Sequence, residues 1–193
     1  TCVAWDWDLT AVNVHSKGRL RGSRSDQDSV FKNHLSHDFV LMFNTLREKR
    51  YPQAILTHSD PHHALNVNPH SDGTPVLAGE EMVRRGLSFA AEDHSECLDV
   101  FVVARYPYCY QTREKWESIG LENAMEMCKT YHLERFLEWN RNQCEDAVSV
   151  DVERKNILLI DDDPNNVEAA RSLGYKAAVV RGPSGFKLTD LLE

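Results

Sequence analysis

The sequence predicts an α/β fold: a doubly wound, Rossmann-like parallel sheet in three layers, with a small cap or none. Three observations carry that expectation. Short apolar runs at 2–5, 54–57, 100–104, 157–160 and 177–180 alternate with stretches of helical periodicity. Two of the runs stop abruptly at acidic residues, Asp6 and Asp8 after the first and Asp161-Asp162-Asp163 after the fourth. The length, 193 residues, suits a single domain over 1–193.

Taken in order, C-V-A-W at 2–5 is a buried strand. From Ala11 to about Asp28 the chain is polar and reads as loop. Within it, H-S-K-G-R-L-R-G-S-R at 15–24 carries Lys17, Arg19, Arg21 and Arg24 with no acid before Asp26. A solvated loop is the plain reading of this segment. Val30, Phe31, Leu35, Phe39, Leu41, Met42 and Leu46 then recur at helical intervals up to an Arg-Glu-Lys-Arg tail, predicting one helix.

Ala54-Ile55-Leu56-Thr57 is the second strand. Residues 59–78, rich in Pro, His, Asn and Gly, read as a surface loop; His58, His62, His63 and His70 are spaced too irregularly for a metal site and are expected to be solvated, with the rim of a cleft as the alternative. A helix follows over 79–89, then a strand at 100–104. Residues 105–120 look irregular, and 121–142 helical, divided near Lys129. The strand at 157–160 runs into the acids; a helix over Val167–Leu173 stops at Gly174, and a last strand follows.

Composition narrows the possibilities. With 41% hydrophobic and 27% charged residues the chain can bury a real core. A formal charge of −8 makes nucleic acid an unsuitable partner and argues against membrane surfaces. No run approaches the roughly 18 apolar residues of a membrane span. Five cysteines without C-x-x-C spacing favour reduced thiols over a disulfide framework or zinc site, hence an intracellular, cytoplasmic setting.

Why acids end buried strands is the informative question. In parallel sheets ligands bind beyond the carboxyl ends of the strands. Asp6, Asp8, Asp161 and Asp162 gathered there would repel one another, and a cation must offset them. An all-oxygen donor set suits Mg²⁺, which keeps waters and accepts phosphate oxygens. A carboxylate can also attack phosphorus, and a second one two residues along an extended chain points the same way, fit to move protons. Phosphoryl charge then calls for a hydroxyl and a cation; Thr57 closes the second strand, and Lys129 precedes the fourth.

These residues resemble the haloacid dehalogenase superfamily. D-W-D-L-T at 6–10 is similar to its D-x-D-x-T motif, I-L-T at 55–57 to its second, Lys129 to its lysine motif, and I-L-L-I-D-D-D-P-N-N at 157–166 to its fourth. The resemblance spans residues 2 to about 181 and implies a flap or small-cap insertion at 11–28, where a basic flap over an acidic cleft would recruit an anionic substrate. It implies Asp6 as nucleophile and Mg²⁺ ligand, and Asp8 as general acid/base with its carbonyl on the ion. Thr57 would bind phosphoryl oxygens, Lys129 would neutralise charge, and Asp161 and Asp162 would hold the ion. An acid at position 8 favours phosphoester hydrolysis, less often phosphomutase transfer. The expected partner is a phosphorylated small molecule or protein.

Alternatives stand beside these assignments. Ser59 rivals Thr57, and Lys115 rivals Lys129. Asn166 is expected to support Asp161 and Asp162 or reach the substrate, and Asp163 to cap a helix. Trp5 and Trp7 read as packing. A non-catalytic phosphate- or protein-binding domain is the rival function. A phosphorylated receiver domain fails because its acid pair would come first.

Overall fold

A computed structural model describes residues 1–60, 74–93, 97, 99–143 and 153–192. In chain order the elements are β1 (Cys2–Trp5), β2 (Arg19–Arg21), α1 (Arg24–His34), α2 (His37–Glu48), β3 (Gln53–Thr57), β4 (Val76–Ala78) and α3 (Gly79–Ala90). They continue with β5 (Phe101–Ala104), α4 (Arg113–Glu117), α5 (Thr130–Gln143), β6 (Ile157–Asp161), α6 (Pro164–Ser172) and β7 (Lys176–Val179). Five strands form an all-parallel sheet of order β5-β3-β1-β6-β7. The chain builds outward from β1 on one side, then returns to β1's other edge with β6, so the order reverses between β1 and β6.

Alternation along the strands divides the core between two faces. Val3, Trp5, Ile55 and Ile160 pack with Phe31 of α1, Phe39 and Phe43 of α2, and Met82 and Leu87 of α3. Ala4, Leu56 and Leu159 pack on the other face with Leu133, Phe136 and Leu137 of α5 and Ala170 of α6. The expected three layers are therefore present. Trp5 meets Phe39 and Phe186 edge-on at 5.1 Å each, and Trp7 meets Phe31 at 6.3 Å, so both tryptophans are packing residues. No described helix is long and apolar enough to cross a membrane, and the four described cysteines are free thiols.

Several local expectations are corrected. The stretch 11–28 is loop only in part, because it contains β2 and the start of α1. Ser23 accepts the Asp26 N–H while the Asp26 side chain accepts the Ser23 N–H, a capping box that starts α1 at Arg24. The single helix expected through Leu46 is two. Leu35 is extended (ψ 130°), and Ser36 caps α2 by accepting the Phe39 N–H while its hydroxyl donates to the Phe186 carbonyl at 2.6 Å. A local serine bond that competes with the helix ladder overrides the unbroken apolar spacing.

Residues 59–78 are not simply a surface loop. Ser59 and Asp60 are buried, and β4 pairs antiparallel with β2, Leu20 opposite Leu77. His62, His63 and His70 lie outside the described residues. Residues 121–129 are not helical. They are tied to the 3₁₀ turn Pro107–Tyr110 and its following residue by Met125 N–H donating to Tyr110 O at 3.1 Å and Gln111 Nε2 donating to Met125 O at 2.9 Å.

Helix α3 packs against Trp7 and Phe31 at Gly86. A Cβ there would lie 2.5 Å from the Trp7 ring and 3.0 Å from Phe31. Gly86→Ala should therefore destabilise the fold by about 1–3 kcal/mol through overpacking, measurable as a lower midpoint in urea with an unchanged m-value; unchanged stability would refute the close fit.

Candidate active site

The acids meet at the switch point, and register explains why. β1 and β6 pair with Trp5 opposite Ile160, and the Asp6 N–H donates to the Ile160 carbonyl at 2.8 Å. One residue further along each strand, Asp6 and Asp161 become neighbours. Ligand oxygens of Asp6, Asp161 and Asp162 lie within 4.8 Å of one another. Asp8 sits within a turn in which the Val12 N–H returns to the Trp7 carbonyl at 3.0 Å and Leu9 takes φ +56°. All four carboxylates line one cavity of about 550 Å³.

Lys129 lies at the centre. Its Nζ donates to Asp6 Oδ1 at 2.7 Å and to the Leu56 carbonyl of β3 at 2.6 Å, with the residue only 1% exposed. The chain reaches this point because Lys129 immediately precedes α5, its carbonyl accepting the Leu133 N–H at 2.9 Å. The rival Lys115 is exposed on α4 and does not line the cavity.

Thr57 ends β3, is buried, and lines the cavity. Ser59 does not line it. Its hydroxyl donates to the Gly18 carbonyl at 2.6 Å and accepts the Gly79 N–H at 2.7 Å, so the substrate-binding expectation for Ser59 is corrected to an anchoring role between loops. Asn166 donates Nδ2 to both oxygens of Asp161 at 3.1 Å, which makes it the support of that acid. Asp163 caps α6 by accepting the Asn165 N–H, and its own N–H donates to Asp161 Oδ1 at 2.9 Å.

Burial dominates the electrostatics. Asp6 and Asp161 are held above the usual carboxylate range, first by loss of solvent, with Lys129 opposing the shift in both. Asp162 is pushed up to about 6 by burial and then by Asp161. Two neighbouring imidazoles stay neutral: burial, and then Lys129, lower His58 to about 3 and His132 well below its ordinary value. His58 thus departs from the solvated loop expected for it; it is half-buried, lines the cavity, and lies 5.2 Å from the His132 ring.

Other residues at the site carried no signal in the sequence. His15 Nδ1 lies 2.7 Å from Asp8 Oδ2, and Ser16 Oγ donates to the same oxygen at 3.0 Å. Asp8 Oδ1 is buried with no hydrogen-bond partner among the described residues. Tyr106 lines the cavity beside His58. Only the basic character of 15–24 hinted that this segment reaches the cleft. Chemically, the floor offers three close carboxylate oxygens fit for a hard cation, a lysine fixed on a carboxylate, and a hydroxyl at the adjacent strand end.

Removing the lysine tests the balance. Lys129→Met leaves Asp6 buried without its cation, so its carboxyl should rise further and the loss of stability should grow as pH rises. We expect a loss of about 3–5 kcal/mol at pH 8, typical of a broken buried pair, and less at pH 5, where Asp6 takes up a proton. Denaturant titrations at both pH values check this; a pH-independent loss would contradict it. Compared with protein-family models and with curated proteins, the chain matches none.

Proposed function

We propose that this chain is a Mg²⁺-dependent phosphatase of the haloacid dehalogenase-like superfamily, hydrolysing a phosphomonoester through a phospho-Asp6 intermediate. One observation carries the reading: oxygens of Asp6, Asp161 and Asp162 lie within 4.8 Å of one another beside Lys129, which is bonded to Asp6 at 2.7 Å. Two buried carboxylates and a half-buried third face one lysine, and loss of solvent, followed by repulsion from neighbouring acids, holds all three above the usual carboxylate range. A divalent cation on all-oxygen donors fits that set, with Asp6, Asp161 and Asp162 as its side-chain ligands and the Asp8 carbonyl beside them. Bound there, Mg²⁺ would neutralise charge on the phosphoryl oxygens.

The protein's own groups then divide the work. A carboxylate oxygen of Asp6 attacks phosphorus in line, and the ester P–O bond breaks. Asp8 gives a proton to the leaving oxygen as general acid; His15 and Ser16 hold its carboxyl in place. Thr57 donates to a phosphoryl oxygen, and Lys129 offsets the charge that accumulates around it. In the second step Asp8 takes a proton from water, which attacks the aspartyl-phosphate at phosphorus and returns Asp6 with inorganic phosphate.

Two tests follow. Asp6→Asn should reduce Mg²⁺-dependent hydrolysis of 4-nitrophenyl phosphate to background while the circular dichroism spectrum is retained; wild-type turnover in a clean preparation would remove Asp6 as nucleophile. The second test reads Mg²⁺ through stability. At a hundredfold excess over its Kd the ion should add about 2.7 kcal/mol, roughly 5–10 °C in Tm for a chain of this size. Asp162 holds a proton below about 6 and must release it to bind. The Mg²⁺-induced rise in Tm should therefore be larger at pH 7 than at pH 5, and Asp161→Asn should abolish it.

A further inference from the structure

The phosphatase reading gives no task to the cations at the rim. Lys17 and Arg19 line the same cavity as the acids. Lys17 is exposed, has no ion-pair partner among the described residues, and takes a left-handed φ of +54°. A side chain held in that region persists only where its surroundings impose it, and such strain gathers at functional sites.

Here the surroundings do impose it. Gly18, at φ +71°, donates its N–H to Ser16 Oγ at 3.1 Å, and its carbonyl accepts the Ser59 hydroxyl at 2.6 Å. A Cβ on Gly18 would lie 2.9 Å from the His58 carbonyl, so the turn sits directly on the end of β3. Beyond it, Arg19 opens β2, paired with β4. The flap is a fixed turn that presents two cations.

Its position identifies which part of a substrate it meets. Lys129, buried on the floor and bonded to Asp6, faces the transferred phosphoryl group. The flap joins the site through Asp8, by way of His15 and Ser16, and Asp8 is the group that serves the leaving oxygen. Lys17 and Arg19 come next in the chain after His15 and Ser16, line the same cavity, and are more exposed than Lys129. We propose that they bind a second anionic group carried by the leaving group, so that the preferred substrate is a phosphomonoester with a further carboxylate or phosphate. This rests on the phosphatase reading for the direction of the substrate.

Binding separates the two ideas because it needs no turnover. With Mg²⁺ present, calorimetry should show 4-carboxyphenylphosphonate or 1,4-phenylenebisphosphonate binding about tenfold or more tighter than phenylphosphonate. Both Lys17→Gly and Lys17→Ala/Arg19→Ala should reduce that preference to about twofold or less. Lys17→Gly relieves the left-handed strain, so its Tm should hold or rise, and lost preference cannot then be attributed to misfolding. Equal binding of charged and uncharged ligands by the wild type, no binding of any of them, or a preference that survives both variants would overturn the proposal. A preference without hydrolysis of the matching phosphate esters would uphold the rim site and reject the phosphatase.

Discussion

The buried pair between Lys129 and Asp6 is the interaction on which the site depends. Its ammonium joins three segments: Asp6 after β1, the Leu56 carbonyl in β3, and the start of α5. Neither ion would be tolerable there alone, because removing one partner of such a pair leaves an uncompensated charge in low dielectric. The lysine therefore fixes how α5 enters the sheet as well as the state of the carboxylate.

Around that pair the protein accepts electrostatic stress. Asp161 is fully buried beside Asp6, satisfied by Asn166 and the Asp163 N–H but still held above its ordinary range. A fold selected for stability alone would place apolar residues at this strand end. Keeping three acids there leaves a cluster of carboxylate oxygens within 4.8 Å of one another, and the neutrality of His58 and His132 keeps further positive charge from competing with Lys129.

The turn after β1 shows a related economy of means. Ser59 couples Gly18 to Gly79 and so ties the flap to the loop after β3 and to α3. The β2–β4 ribbon extends the same tie. The rim is in this way organised by hydrogen bonds to the backbone, and Lys17 stays exposed on it.

The sequence by itself determined the strands and the acids that end them. Both are local properties: a short apolar run is needed to bury a central parallel strand, and carboxylates immediately after it can lie only at its carboxyl end. The α/β class and the candidate roles of Asp6, Asp8, Asp161 and Asp162 were legible for that reason. Tertiary structure decided what depends on distant partners. The reversal of strand order between β1 and β6 made neighbours of Asp6 and Asp161; the path of residues 121–129 brought Lys129 inward and left Lys115 in solvent. Pairing of Arg19–Arg21 with Val76–Ala78 turned apparent loops into a ribbon, and the Ser36 bond to Phe186 split a continuous apolar pattern into two helices. Hydrogen bonds between segments far apart in the chain leave no periodicity to read, and those are the contacts that set the rim, the lysine and the role of Ser59.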